Sequence, residues 1–452
     1  MYSDLMLRKL PVRLFVLAGL TLGLLLIVAC AAPPAPTSAP TQAAAPTPVE
    51  VVFAVNEEPE EFTAMSSVVE KFNAANPNVK VTVANTPDDD EFTKKLAADI
   101  AAKTAPDLFL FNYRRLGPFV IKGAVQPVDN YLAASTSIKP ADFYPTAFNA
   151  FKFKGQQMCV PLNLSQLQIY YNVDMFKKAN VPLPTNDWTQ ADFLAAAKAL
   201  TQDTNGDGKT DQFGVGIARQ IIRLMPFIWM NGADIVDNPE RPTTLTLDRG
   251  AALEAFQWFV DLQVQEHVVP NKEQEATENS QTRFQNGTLA MFFQSRVLTP
   301  ELRATVKNFT WDIAPLPAGK NKATILHSDG FCILNASKNK DAAWKFIEYM
   351  AGKEGQGALA ETGRSVPALI SVAQSDAFLK SSPPARNQVY LEMAQYVRPV
   401  PLMTTWLEVE SAVNAEITRA FWGDVSAQEA AQTAVANTRQ YFQQNLSDLG
   451  SP

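Results

Sequence analysis

The first folded segment of the chain, residues 50–111, reads EVVFAVNEEPEEFTAMSSVVEKFNAANPNVKVTVANTPDDDEFTKKLAADIAAKTAPDLFLF. Short apolar runs of strand length alternate in it with longer stretches of helical spacing, in which Phe62, Met65 and Phe72 fall on one face. The order strand, helix, strand, helix, strand predicts a parallel sheet with helices on both faces, which is an α/β fold. In such sheets, ligands bind beyond the carboxyl ends of the strands.

Polar residues follow the first and the third of these strands, at the edge where a ligand is expected. They offer carboxylates, amides and guanidinium groups, which can form hydrogen bonds with a polar ligand. The alternatives are an acidic helix start favoured by the helix dipole and a solvated charged turn. Two adjacent arginines also suit a phosphate or a carboxylate. The predicted ligand-binding residues here are Asn56, Glu57, Glu58, Asn112, Tyr113, Arg114 and Arg115.

The amino terminus has the pattern of an export signal. Basic residues precede an uncharged run over 14–29, which is typical of a secretory signal peptide. Ile27-Val28-Ala29-Cys30 resembles a bacterial lipobox, so we predict that 1–29 is a lipoprotein signal peptide and that Cys30 is lipidated. The alternative is an uncleaved membrane helix. Both interpretations place the body outside the cytoplasm, on the outer face of the cytoplasmic membrane.

Residues 30–49 are almost entirely Ala, Pro and Thr, which predicts a disordered linker between the lipidated cysteine and the body. The remaining chain of roughly 400 residues exceeds one ordinary core and indicates two lobes. Its 46% hydrophobic content is typical of a packed globular protein. A net charge of −7 argues against nucleic acid as a partner.

Cys159 and Cys332 are the only cysteines besides the predicted anchor. Two thiols of an exported protein can form a disulfide. They can equally remain as two buried free thiols, a common environment for cysteine. The sequence leaves both possibilities open.

Five stretches, taken together, resemble a known family. Residues 170–201 read YYNVDMFKKANVPLPTNDWTQADFLAAAKALT, and 106–112 read PDLFLFN. Residues 286–296 (NGTLAMFFQSR), 311–320 (WDIAPLPAGK) and 337–356 (SKNKDAAWKFIEYMAGKEGQ) follow in the order expected for the family. In these motifs the chain is similar to the bacterial extracellular solute-binding proteins of family 1.

The resemblance implies a two-lobe α/β clamshell of type II, in which each lobe is a mainly parallel sheet flanked by helices and the hinge crosses more than once. We predict lobe 1 from 50–160 plus 326–395 and lobe 2 from 161–325 plus 396–452. The implied function is capture of a mono- or oligosaccharide between the lobes, followed by closure and delivery to the permease subunits of an ABC importer. We expect a monomer, held at the membrane by its lipid anchor.

The resemblance also implies further residues that line the cleft. Phe227 and Trp229 are predicted as a stacking wall for the sugar, and the alternative for each of these residues is a place in the core. Gln294-Ser295-Arg296 stands where many sugar binders have an aromatic residue, so stacking comes from elsewhere or the ligand is more polar or acidic, such as a sugar phosphate. The further residues predicted to bind the ligand are Asn163, Ser165, Phe227, Trp229, Arg296, Asp329, Arg364 and Trp406.

The loop DTNGDGKTD, 203–211, matches the first part of a calcium-binding loop. Its predicted ligands are Asp203, Asn205, Asp207, the carbonyl of Lys209, and Asp211. Gly214 stands where the bidentate Glu would be, so a carboxylate from elsewhere is needed. We expect a structural calcium ion away from the sugar and no other cofactor. The alternative is a turn with solvated acids.

The competing functional class is an exported carbohydrate-active hydrolase that uses two carboxylates. Acidic residues are plentiful, so composition does not exclude it. His267 and His327 are the only histidines, and neither a His-Glu-x-x-His nor a Gly-x-Ser-x-Gly motif occurs. We therefore predict a binding protein with no catalytic residues.

Overall fold

The computed structural model describes residues 47–450, so the predicted signal peptide, Cys30 and nearly all of the linker lie outside the described residues. The strands are β1 Val49–Val55, β2 Val79–Asn85, β3 Leu108–Asn112, β4 Lys152–Phe153, β5 Gln156–Gln157, β6 Cys159–Pro161, β7 Ser165–Asn172, β8 Phe213–Gly216, β9 Leu289–Ser295, β10 Trp311–Ala314, β11 Thr324–His327, β12 Asp329–Ile333 and β13 Val397–Arg398.

Helices cover most of the remaining chain. They are α1 Pro59–Ala75, α2 Asp89–Ala102, α3 Gly117–Ile121, α4 Asp129–Ala134, α5 Pro145–Asn149, α6 Val173–Lys178, α7 Gln190–Leu200, α8 Ile221–Met230, α9 Gly250–Val264, α10 Lys272–Thr277, α11 Ser280–Asn286, α12 Thr299–Thr305, α13 Lys340–Ala351, α14 Lys353–Thr362, α15 Ile370–Ala373, α16 Asp376–Leu379, α17 Gln388–Met393, α18 Trp406–Phe421 and α19 Ala427–Leu449. Within residues 47–450, none of these helices is both long and apolar enough to span a bilayer.

The first sheet has the strand order β2-β1-β3-β12-β6. Its strands β1, β2 and β3 are parallel, as the sequence predicts, and β12 runs antiparallel to both of its neighbours. The predicted apolar face of α1 is buried at Met65, Val68, Val69 and Phe72. The carboxyl ends of β1 and β3 therefore lie at one edge, next to the amino end of β12.

The second sheet has the order β13-β11-β7-β9-β8, and β10 also pairs with β7. Every residue of β7 is buried, as expected for a central strand with both faces covered. β7 runs antiparallel to β9, β10 and β11, whereas β8 is parallel to β9. The α/β class with helix-flanked sheets is confirmed, and the second sheet is mixed rather than mainly parallel.

The chain crosses between the sheets three times. β6 pairs in the first sheet and β7 in the second, β11 pairs in the second and β12 in the first, and β13 pairs in the second sheet again. The segment around α17 packs on the second sheet, because Gln166 Nε2 donates to the carbonyl of Tyr390 at 2.6 Å. The predicted boundary assigned residues up to 395 to lobe 1, and this contact moves α17 to lobe 2.

Cys159 and Cys332 form a disulfide, with Cα atoms 4.4 Å apart. The two residues face each other in the antiparallel pair β6–β12. The bond joins residues separated by 173 positions, so it restricts the unfolded chain and stabilises the first lobe. The two cysteines are therefore paired in the structure and are not two free thiols.

Candidate functional site

A cluster of polar side chains lies at the crossing between the two sheets. Asp329, the first residue of β12, accepts hydrogen bonds from Asn112 Nδ2 and from Asn163 Nδ2, each at 3.0 Å. The backbone N–H of Asp329 donates to Asn163 Oδ1, also at 3.0 Å. Three residues predicted from distant parts of the sequence therefore meet, and they fix the floor of the cleft.

A partly buried ion-pair group lies beside this floor. Arg364 bridges Glu57, at 3.2 Å, and Glu61, at 2.8 Å. Together with Asn163 and Asp329 these residues line a cavity of about 30 Å³. Burial raises the pKa of Glu57 to about 7, although the charge of Arg364 opposes the shift. The Glu57 carboxyl group therefore changes its protonation state near neutral pH.

A second ion pair joins the first lobe to the carboxyl-terminal helices. Arg114 Nη1 lies 2.9 Å from Glu410 Oε1 and 2.8 Å from Oε2, and both side chains are mostly buried. Arg114 follows β3, whereas Glu410 is part of α18. Trp406 begins the same helix and is 1% exposed, and its indole Nε1 has no hydrogen-bond partner within residues 47–450.

The second lobe contributes Arg223, from the first turns of α8. Its side chain is 6% exposed, and Nη2 donates to Gln294 Oε1 at 2.7 Å. Burial and the nearby charge of Arg114 lower the pKa of Arg223 to about 10, against a raising effect of Glu410. Burial and the charges of Arg223 and Arg114 lower the pKa of His327 well below 6.5, so its imidazole is neutral at pH 7. The contacts of α8 with α18 and β11, and of α18 with residues 113–115, bring Arg114, Arg223 and His327 into one part of the protein.

Tyr113 and Arg115 have structural contacts instead of the ligand contacts predicted for them. The buried Tyr113 hydroxyl donates to the carbonyl of Leu326 at 3.3 Å and accepts from the N–H of Val400 at 3.0 Å, so it ties β3 to two crossing segments. Arg115 lies 2.8 Å from Asp90 and 3.3 Å from Asp89, which begin α2. Its positive charge is thus neutralised at a helix start.

The two residues that flank Glu57 lie at the margin of the site. Asn56 donates to the Asp89 carboxylate. Glu58 is exposed and directly precedes α1, in which Pro59 occupies the first position. The alternative of an acidic helix start therefore holds for Glu58, while Glu57 alone of the three is buried in the cluster.

The predicted stacking wall is wrong. Phe227 is fully buried in the second lobe, with its ring centroid 4.9 Å from that of Trp258. Trp229 is 4% exposed, its Nε1 donates to Asp234 at 3.1 Å, and the guanidinium of Arg398 covers its ring at 4.7 Å. Neither ring has a face left open for a sugar.

Arg296 and Ser165 also lie within packed structure. Arg296 is fully buried, donates to Asn387, and lies 4.6 Å from the ring centroid of Phe378 and 5.1 Å from that of Tyr390. Its Nε and Nη2 atoms are buried without a hydrogen-bond partner in the described chain, and its role at a cleft-lining turn stays a prediction. Ser165 Oγ accepts from the N–H of Val366 at 3.3 Å, close to the crossing.

A larger open groove of about 980 Å³ lies at the opposite edge of the first sheet. It is lined by Asp107, which precedes β3, and by Leu334, which follows β12. Of the predicted ligand-binding residues, only Arg115 borders it. The convergent polar groups are at the crossing between the lobes, so we place the candidate site there.

Comparison with known proteins decides the family. The sequence model described as bacterial extracellular solute-binding protein matches residues 56–357. The chain belongs to this family. As a member it is an extracytoplasmic solute-binding protein and not an enzyme, which confirms the prediction from its motifs.

Three similar proteins support this assignment. One relative is a protein of Brucella abortus (strain 2308) whose name describes it as a binding protein. It is 25% identical to this chain over 348 residues, which cover 76% of this chain and 80% of that protein. The maltotriose-binding protein of Pyrococcus abyssi is 26% identical over 314 residues, covering 66% and 62%. The structure of the ABC substrate-binding protein Lmo0181 from Listeria monocytogenes in complex with cycloalternan superposes with a TM-score of 0.78 and 25% identity, covering 87% of this chain and 98% of that one.

Four site residues of this solute-binding protein were not predicted from sequence as ligand contacts: Glu410, Arg223, Gln294 and His327. Arg223 carried a usable signal, since it is the single charged residue in the helix IIRLMPFIWM. Gln294 was recognised only as a departure from an aromatic pattern, and His327 only as one of two histidines. Glu410 lies in an ordinary amphipathic helix and gave no signal.

The calcium-loop residues lie on an exposed loop of the second lobe. Asp203 accepts from the N–H groups of Gly206 at 2.7 Å and Gly208 at 2.8 Å, and Asp211 accepts from Thr204 at 2.9 Å. No group of three or more metal-binding side chains suited to hold an ion is found in the part of the chain from 47 to 450. Calcium binding by this loop stays a prediction.

Proposed function

We propose that this solute-binding protein captures a saccharide between its two lobes and delivers it to the permease subunits of an ABC importer. The observation that carries the proposal is the convergence of Asn112, Asp329, Asn163 and the Arg114–Glu410 pair at the crossing between the sheets. Amides, carboxylates and guanidinium groups bind hydroxyls, and such groups in a cleft fix the orientation of a polyhydroxylated ligand.

Two relatives support a saccharide as the ligand. One is named for maltotriose binding, and the other was solved with cycloalternan. The indole N–H of Trp406, buried and without a hydrogen-bond partner among residues 47–450, would gain a partner in a sugar hydroxyl. Trp406 and Glu410 are part of one helix, so a ligand that contacts both is held against the hinge.

Closure of the lobes follows from contacts on both sides of the cleft. A ligand that binds groups of both lobes stabilises the closed conformation over the open one by its differential affinity. The connections at Tyr113 and at Ser328 form the hinge in this proposal. The closed protein, a monomer, then docks on the permease.

Lipidation of Cys30 anchors the protein beside its permease. Tethering through the predicted linker over residues 30–49 raises the effective concentration of the lobes at the membrane. Replacing Cys30 with serine is expected to move the protein from the membrane fraction to the soluble extracellular fraction. Retention of the variant in washed membranes would contradict lipid anchoring.

The direct test is a saccharide panel, screened by thermal shift with the mature protein. A ligand that binds only the folded state raises the melting temperature by mass action, by several degrees at about 100 times its dissociation constant. Each hit is then incubated with the protein and analysed by mass spectrometry. The proposal predicts unchanged ligand. Release of a shortened product would instead establish hydrolysis, and a panel without any hit would contradict saccharide binding.

A further inference from the structure

Arg223 is an unusual residue for its position. It is the single charged side chain of α8, whose ten residues are all buried. A buried guanidinium group is costly unless an anion and hydrogen bonds compensate its charge. The residues around Arg223 should therefore show how that charge is balanced.

None of them forms an ion pair with it in the described chain, and the nearby Glu410 is paired with Arg114. The single side-chain hydrogen bond of Arg223 within residues 47–450 is to the neutral amide of Gln294, and its Nε and Nη1 atoms are buried without a partner. The acids of the site have other contacts. Glu410 pairs with Arg114, and Asp329 accepts from two asparagines. Arg223 therefore has no ion pair of its own among the described residues.

Arg223 lies near the candidate site, because α8 contacts both α18 and β11. Gln294 lies near the carboxyl end of β9, and His327 ends β11, one residue before the chain crosses to the first lobe. His327 Nε2 is also buried without a partner in the described chain. Arg223 Nε, Arg223 Nη1 and His327 Nε2 are thus polar atoms without partners beside the Arg114–Glu410 pair.

We infer that Arg223 binds an anionic group of the solute, a carboxylate or a phosphate, so that the ligand is an acidic saccharide. The inference rests on the proposed saccharide function and specifies its ligand class. A carboxylate or phosphate matches the planar donors of a guanidinium group and balances its charge, whereas a neutral hydroxyl satisfies a donor and leaves the charge. The neutral imidazole of His327 adds a hydrogen bond without a second charge.

The test compares matched acidic and neutral ligands by calorimetric titration of the mature protein. The pairs are trigalacturonate against galactotriose, glucuronate against glucose, and glucose 1-phosphate against glucose. The acidic member of at least one pair is expected to bind 10-fold tighter or more. The Arg223→Gln variant is expected to lose that preference, because the amide that replaces the guanidinium group carries no charge. If the preference appears in the two pairs with a carboxylate, the anionic group is a carboxylate. If it appears in the glucose 1-phosphate pair, the anionic group is a phosphate.

Arg115→Gln is the matched control, because Arg115 follows β3 and is already paired with Asp89 and Asp90. It should leave the acidic preference unchanged. Equal or tighter binding of the neutral members, or an acidic preference that survives Arg223→Gln, would overturn the inference and leave saccharide binding intact. If no saccharide of either kind binds, the proposed function falls together with the inference.

A second variant tests the buried charge without any ligand. Arg223→Met removes the charge and keeps an unbranched side chain, so the ligand-free protein should melt roughly 2 °C higher than wild type. A melting temperature clearly below that of wild type would show that Arg223 stabilises the empty fold. That result would overturn the assignment of Arg223 to a ligand.

Discussion

The two sides of the cleft differ in how far their polar groups are already paired. On the first-lobe side, Arg364 forms ion pairs with two glutamates and Asp329 accepts from two asparagines, although Glu57 Oε2 and Glu61 Oε2 have no hydrogen bond within residues 47–450. On the second-lobe side, Arg223 has no ion pair in the described chain, and both Arg223 and His327 keep buried atoms without a hydrogen bond there. The comparison indicates that the first lobe is organised before the ligand arrives, whereas the second lobe is completed by it.

The largest expected effect concerns the paired side. Asp329→Ala removes the acceptor of Asn112 and Asn163, so buried amides lose their partners. We expect a loss of about 3 kcal/mol in the free energy of unfolding, measured by urea denaturation. Asp376→Ala is the matched control, because Asp376 lies in an exposed pair with Lys380 and should change stability by less than about 0.5 kcal/mol. Equal effects of the two substitutions would contradict an organised first-lobe floor.

The free energy of unfolding is expected to depend on pH through Glu57, and the change should be nearly as large. Its folded pKa of about 7 lies above the ordinary 4.5, so the folded state binds the proton more tightly than the unfolded state. The stabilisation that protonated Glu57 gives the folded state is therefore fully present at low pH. As the pH rises from about 4.5 through 7, this stabilisation is lost, and the free energy of unfolding falls by about 2–3 kcal/mol. Urea denaturation across this range should show the decline in wild type. Glu57→Gln should flatten it, and parallel profiles of the two proteins would refute the assignment.

The Arg114–Glu410 pair provides a contact that joins the first lobe to α18. In a double-mutant cycle with Arg114→Gln and Glu410→Gln, we expect a coupling free energy of about 2 kcal/mol, since both side chains are mostly buried. The exposed pair Asp376–Lys380 should give a coupling below about 0.5 kcal/mol in the same measurement. A coupling near zero for Arg114–Glu410 would mean that the pair contributes nothing across this boundary.

The smallest effect is expected at the loop of residues 203–211, outside the cleft. If the loop holds calcium, chelation with EDTA should lower the melting temperature by roughly 2 °C, and added calcium should restore it. Asp203→Ala should remove this response. Ligand affinity should be the same with and without calcium, because the loop lies on the surface of the second lobe. An unchanged melting temperature would identify the loop as a plain turn.

The sequence predicted the α/β class and the family well, because short apolar strands and amphipathic helices leave a direct periodic pattern. The rule that ligands bind at strand ends pointed to Asn112, and the family resemblance pointed to Asn163, Asp329 and Arg364. That these residues bind the ligand stays a prediction. It failed for Phe227 and Trp229, because an aromatic residue in an apolar helix looks the same whether it faces a ligand or the core. Glu410 was not predicted because its importance depends on a contact with a residue 296 positions away.

The measurement that tests the central claim most directly is a titration of the tightest saccharide ligand from the panel with two variants, Arg114→Gln and Trp229→Phe. Arg114 lies at the crossing between the lobes. Trp229 is six residues beyond Arg223, about 9 Å along α8. Binding between the lobes predicts at least a 10-fold loss of affinity for Arg114→Gln and less than a twofold change for Trp229→Phe. The opposite pattern, with full affinity in Arg114→Gln and a large loss in Trp229→Phe, would contradict it.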